Sequence, residues 1–364
     1  MSIPRKSGTS ANIIFTHRGI RPSVRQKLEV GSEKYFQQQR SRFSRIHSHH
    51  LTASRPPFGL KVVGRREYNN VICNGQKYIL NDAERRKFMK RYRVLNFSFD
   101  SRSTLLNTEI NEDWEEEVKL RWKKNKQFIY EGIIHTYGVE NYDSKLNNFS
   151  SFGLLPFSII AFHNKFFKQI RDAFIIGSYY PALTAACSLG ERILNHLVLL
   201  LRDEYKNTEH YKNVYSKKAF DNWDKMINPL NDWGVLLPEV VEKFNELKKL
   251  RNYSIHFNPD TDVQDKEYAQ SAIDILKAII ELQFGVGGPV LRPWFINSIP
   301  GAFYISKEAE ELPFVKKIIL PNCALVGHKH RLENEGNWFK VIDDYEYEDK
   351  EITDEEFKDL LVTQ

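Results

Sequence analysis

Between about residue 154 and residue 285, apolar residues recur at helical spacing in segment after segment, with only short connections between them. A helix bearing one apolar stripe must bury it against others, so this pattern restricts the region to an antiparallel helical bundle. The first stripe is Ile159, Phe162, Phe166, Ile170 and Phe174, with Pro156 near its start. Gly177-Ser178 interrupts it, and Pro181 opens a second helix carrying Leu183, Cys187, Leu194, Leu197 and Leu201. A shorter segment with Tyr215, Phe220, Trp223 and Ile227 follows. The fourth stripe, Val240, Phe244, Leu247 and Ile255, begins at Pro238, which suits a first helical position. The fifth, Ala269, Ile273, Leu276 and Ile280, ends at Gly285, and Gly287-Gly288-Pro289 marks a boundary.

The fourth stripe contains a charge. Arg251 lies seven residues after Phe244 and four after Leu247, and a cation on an apolar face needs a partner or a task. Five residues on is His256, in what reads as the last helical turn, because Pro259 disfavours helix at Asn258. Arginine presents a planar, permanently charged fork that matches phosphate. Histidine titrates near neutral pH and can move a proton. Together they have the chemistry to cleave a phosphodiester without a metal. On an ideal helix of about 3.6 residues per turn, positions five apart are roughly 140° apart, so one helix does not aim both side chains at one phosphate. A distorted last turn or a second copy across a two-fold axis would bring them together. Glu191, four after Cys187 and three before Leu194, lies on the apolar side of the second helix and is a candidate partner for Arg251. The competing reading makes Arg251 structural and His256 a cap.

The segment Tyr179-Tyr180-Pro-Ala-Leu-Thr-Ala-Ala-Cys-Ser-Leu-Gly-Glu191, with Leu250-Arg-Asn-Tyr-Ser-Ile-His-Phe later, resembles the HEPN superfamily over roughly residues 155–285. The resemblance implies an all-α bundle that dimerises and cuts RNA at a composite Arg/His site without metal or cofactor. It implies that Arg251 stabilises the scissile phosphate and that His256 activates the ribose 2′-hydroxyl or protonates the leaving oxygen. Asn252 matches the polar residue that follows the arginine, and Glu191 the helix acid that positions it. Lys248 and Lys249 are the expected RNA-binding residues. Many members serve antiphage defence, abortive infection or toxin roles, so an antitoxin or regulatory partner is part of the expectation. Other members keep the bundle as a non-catalytic dimerisation or nucleic-acid-binding module, which is the alternative function.

The fold class expected is mainly α, with a bundle over 151–288. A basic arm (1–58), a β-hairpin plus charged helix (59–150) and a small β-rich unit with an acidic tail (289–364) flank it. Of the 364 residues, 41% are hydrophobic, enough for real cores. Charge is uneven. Residues 1–60 hold 11 Lys/Arg against 2 Asp/Glu, whereas residues 331–364 hold 4 against 12. This asymmetry suggests nucleic-acid contact for the arm and, for the tail, an internal inhibitor lying in a basic cleft. Asn74-Gly75 between Tyr68–Cys73 and Gln76–Leu80 is a two-residue hairpin signal. The basic and aromatic run from Glu84 to Arg93 reads as a charged helical face or, alternatively, as a segment tracking a phosphate backbone while Phe88 and Tyr92 pack or stack, and a long charged helix spans about 111–137. Strands are expected at Ala302–Ser306, Val315–Leu320 and Trp338–Ile342. Cys323, His328 and His330 make only one loose ligand set, so no metal site is expected. The cysteines fit a reducing compartment, and no secretory or bilayer-spanning segment is evident; a cytoplasmic protein is expected.

Overall fold

The helical segments form as the apolar spacing demands. In a computed structural model, residues 69–73, 76–80, 89–95, 100–255, 258–286, 295–299, 302–334, 339–348 and 350–362 are described. The chain is mainly helical with small sheets. After strands β1 (Asn69–Cys73), β2 (Gln76–Leu80) and β3 (Lys90–Val94) come α1 (Arg102–Asn107), α2 (Glu116–Tyr137) and α3 (Tyr142–Phe152). The central helices are α4 (Ala161–Ile175), α5 (Tyr179–Leu201), α6 (Tyr211–Val214), α7 (Asp224–Asp232), α8 (Pro238–Ile255) and α9 (Asp265–Phe284). Strands β4 (Ile296–Ile299), β5 (Ala302–Ile305), β6 (Cys323–Gly327), β7 (Arg331–Asn334) and β8 (Phe339–Ile342) follow, and α10 (Asp354–Val362) comes last.

Helices α4, α5, α8 and α9 pack around one core with alternating direction. Phe162 lies against His196 and Phe174 against Tyr179, so α4 and α5 run antiparallel. Gln283, near the end of α9, accepts from Leu237 N and donates to Val235 O just before α8, while Tyr253 and Tyr268 meet at the other end. Helices α8 and α9 are therefore antiparallel as well. The turn between α4 and α5 is the one foreseen. Gly177 has φ +84°, and Gly177 N and Ser178 N donate to Phe174 O and Ala173 O, closing the helix end in the left-handed conformation that glycine adopts at low cost. Phe174, Leu183, Leu194, Leu201, Phe244, Leu247, Ile273 and Leu276 are fully buried. Each contributes about 1.5–3 kcal/mol of transfer free energy. Tyr215, expected on an apolar stripe, is 56% exposed, because α6 is a single turn whose buried face is Val214.

Strands from 59–150 and from 289–364 pair with one another. Strand β3 pairs antiparallel with both β5 and β6, and β2 pairs parallel with β8. Two four-stranded sheets result, in the orders β1-β2-β8-β7 and β4-β5-β3-β6. The hydrophobic core continues from the helices into Val94, Ile305, Phe314, Val315 and Ile319. The β1–β2 hairpin has the register Cys73↔Gln76 that a two-residue connection requires. The connection itself, like the basic arm (1–58), lies outside the described residues.

Three expectations for the flanks change. Lys90–Val94 is a strand, not a charged helical face, and Lys90 and Arg91 are buried. Lys90 Nζ contacts Asp343 Oδ2 at 2.7 Å, and Arg91 Nε contacts Asp354 Oδ1 at 2.5 Å. Val315–Ile319 is a π-helical turn instead of a strand, since its apolar run faces the core on Val315, Ile318 and Ile319 with both lysines outward. The acidic tail, read as an inhibitor, is built into the fold: Asp343 and Asp354 neutralise buried cations, and Phe357 of α10 is 1% exposed. Truncation at residue 340 would remove these partners and most of β8.

Two histidines, His163 buried and His330 half-buried, set a pH response. His163 Nδ1 lies 2.9 Å from Ser158 Oγ, and burial, with His196 nearby, pushes its pKa down from 6.5 to about 3. His330 Nδ1 contacts Gly327 O at 2.7 Å and its Nε2 faces Arg93; burial and then Arg93 push its pKa down to about 4. Unfolded histidine binds protons more readily than either, so their stabilising contribution is present above pH 6.5 and is lost as the pH falls towards 4 and 3. Near pH 5 the loss should be roughly 1–2 kcal/mol for each. Urea denaturation near neutrality and near pH 5 checks this, and equal midpoints would refute it.

Candidate active site

The sequence motif sits at the end of α8, where this helix crosses α5. What allows the close crossing is Gly190. A Cβ there would lie 2.7 Å from Leu247 Cδ2 and 3.0 Å from Trp223 Cη2, so only glycine lets α8 settle at this depth. Beside Gly190, Glu191 rises towards the surface. Its Oε2 lies 3.5 Å from Arg251 Nη2 and accepts a hydrogen bond from Trp223 Nε1 at 3.1 Å. Arg251 Nη1 also donates to Asn252 Oδ1 at 3.2 Å. The side chains of Arg251 and Glu191 are 27% and 32% exposed, so the pair is neither sealed in the core nor free in solvent. Arg251 is therefore half-buried, with its guanidinium reaching Glu191, Asn252 and solvent.

Of the residues expected at the site, Arg251, Asn252 and Glu191 come together. His256 lies outside the described residues. The helical path before it runs as expected to Ile255, and Asn258 beyond it is extended (φ −147°, ψ 120°), as Pro259 requires. Lys248 and Lys249 diverge. Lys248 is held 2.5 Å from Asp224 of α7, whereas Lys249 is exposed. Lys248 thus serves the α7–α8 contact, and Lys249 is the cation left facing water.

Sequence reasoning missed Trp223 and Gly190 as parts of this site. Trp223, 2% exposed, was assigned to packing alone, yet a buried indole N–H needs an acceptor, and the nearest is an acid on the neighbouring helix. Asn195, one turn after Glu191, fixes the approach of this loop: it donates to Phe220 O and Glu191 O and accepts from Phe220 N. Cys187 is also close, but burial pushes its thiol up to about 12 despite the opposing pull of Arg251, so it is a packing group and not a nucleophile.

The C-terminal Cys323, His328 and His330 do not converge. Cys323 Sγ donates to Ile319 O, and His330 is held by Gly327 and Arg93. Among the described residues no group of three or more His, Cys, Asp or Glu side chains is placed to hold a metal ion. No described helix is long and apolar enough to cross a membrane. No family model matches the chain, and neither the curated proteins nor the solved structures contain a match to it.

Proposed function

We propose that the chain is a metal-independent endoribonuclease of HEPN type, working as a dimer at a composite site built on Arg251 and His256, in an antiphage or toxin-like role. The observation that carries this reading is the setting of Arg251. Its guanidinium is oriented from one side by Glu191 and Asn252 yet reaches the surface, and its Nε has no partner among the described residues. The structural Arg91, by contrast, is buried, with its Nε on a carboxylate and its Nη atoms on backbone carbonyls. A guanidinium left loosely paired at the rim can turn its fork to a phosphate.

In this reading Arg251 stabilises the charge that gathers on the phosphoryl oxygens. His256 takes the proton from the ribose 2′-hydroxyl, and the 2′-oxygen attacks phosphorus. The 5′-oxygen leaves and takes up a proton, giving a 2′,3′-cyclic phosphate and a 5′-hydroxyl. Asn252 would steady the guanidinium. A second copy of the helix would supply the partner side chain that the 140° offset denies to one copy, roughly, at 3.6 residues per turn.

One observation favours the alternative in its dimerisation form, a non-catalytic module: the Asp224 carboxylate neutralises Lys248, which thins the positive surface beside Arg251 that RNA would need. Labelled total RNA incubated with the purified protein in excess chelator separates the two. Cleavage is expected, with cyclic phosphate on the 5′ fragments. Loss of cleavage in chelator, or 3′-hydroxyl ends, would overturn the mechanism.

A further inference from the structure

We infer that Trp223 is a positioning residue for Arg251: it ties down the Glu191 carboxylate so that the acid orients the guanidinium without neutralising it. The consequence for RNA rests on the ribonuclease reading above; the geometry does not. Glu191 Oε2 receives two donors, Trp223 Nε1 at 3.1 Å and Arg251 Nη2 at 3.5 Å. Charge-assisted N–H···O bonds ordinarily close to about 2.7–2.9 Å, so the contact between full charges is the stretched one. The neutral indole has the better claim on the oxygen.

Packing explains this inversion. The Trp223 ring stands edge-on to Phe244, with centroids 6.3 Å apart at 72°, and its far edge fills the space above Gly190. The ring has no room to shift, so its N–H direction is set. Glu191, one residue beyond Gly190, is the acceptor within reach. The loop that carries Trp223 is itself fastened to α5 through Asn195 and Phe220. Both ends of the Trp223–Glu191 hydrogen bond are therefore anchored on rigid elements, and Arg251 is the member free to adapt.

That order of preference suits phosphate capture. A carboxylate in tight bidentate contact would occupy both faces of the fork and cancel its charge. Here the acid holds Nη2 at arm's length, Nη1 rests on the neutral Asn252 amide, and Nε is open among the described residues. A phosphate with two oxygens matches the open side.

Labelling of Arg251 with phenylglyoxal, read by mass spectrometry on the intact protein, tests this directly. Trp223→Phe keeps a buried ring and removes the N–H, so Glu191 should close on Arg251. Labelling should fall about tenfold, and the KM for RNA should rise by a similar factor with kcat little changed. Adding Glu191→Gln to Trp223→Phe should restore labelling. Unchanged labelling in folded Trp223→Phe protein overturns the inference, as does a fall in kcat alone. Should Trp223→Phe fail to fold, Glu191→Gln by itself decides. With the acid already tied to Trp223, labelling should rise by less than about twofold; a rise of about tenfold would mean that Glu191 masks Arg251, contrary to the inference. If the wild type cleaves no RNA but labelling follows this pattern, the positioning role stands and the ribonuclease reading falls.

Discussion

Arg251→Ala should abolish RNA cleavage and leave the fold nearly as stable as before. The two effects separate because of where the guanidinium sits. Its ion pair with Glu191 is long, at 3.5 Å, and about three-tenths exposed on both sides. Half-solvated pairs of this kind contribute about 0–1 kcal/mol, and Glu191 keeps its Trp223 donor when the arginine is gone, so no buried charge is stranded. In the proposed reaction the same group would face a phosphate whose charge spreads over its oxygens in the transition state. Removing one fixed donor to developing charge costs about 10²–10³ in kcat in acyl transfer. Arg251→Lys should recover only part of this, because lysine restores the charge but not the fork. Single-turnover cleavage assays and urea denaturation on the same preparations provide the two readouts. A loss of several kcal/mol in stability with cleavage intact would instead assign Arg251 to the scaffold.

Why α8 could be read so far from sequence, and its surroundings only in part, follows from the range of the interactions. Pro238, the Val240–Phe244–Leu247 stripe and the Pro259 stop are local signals, and the helix obeys all three. The closeness of Arg251 and Glu191 was within reach too, since each broke an apolar stripe and two opposite charges at the same level of a bundle have few other places to go. The part played by Trp223 was not, because nothing in its neighbours announces which helix its N–H will meet. The flanks show the same divide. The hairpin at Asn74-Gly75 is local and its register is as expected. The strand at Lys90–Val94 is defined by partners more than two hundred residues away, so its basic residues looked like a solvated helix. The apolar run at Val315–Ile319 is too short for its periodicity to separate helix from strand.

The basic run and the acidic tail, puzzling as separate features of the sequence, explain one another, and this gives the largest expected effect on stability. Arg91 is 1% exposed. Its Nε meets Asp354 Oδ1 at 2.5 Å, its Nη2 donates to Ile352 O and its Nη1 to Lys90 O. Asp354 Oδ2 in turn accepts from Lys307 N. One arginine thus joins β3, the segment before α10 and the turn after β5. Arg91→Ala takes the buried cation from Asp354 and the guanidinium donors from the Lys90 and Ile352 carbonyls. Removing one member of a buried, hydrogen-bonded pair costs about 3–5 kcal/mol, a large share of a typical domain's stability. Asp354→Ala should cost as much or more, since it leaves a cation with almost no solvent. Replacing both by apolar residues of similar size, Arg91→Met with Asp354→Leu, should be far milder than either alanine variant, because no charge is then left uncompensated. Thermal and urea denaturation of the three variants would show this as strong coupling in a double-mutant cycle. Additive losses would mean that the tail is docked by Phe357 and its apolar neighbours and that the ion pair is incidental. A destabilised Arg91→Ala protein with an unaltered Arg251 site would further show that the sheets fasten the C-terminal segment and leave the chemistry to the helices.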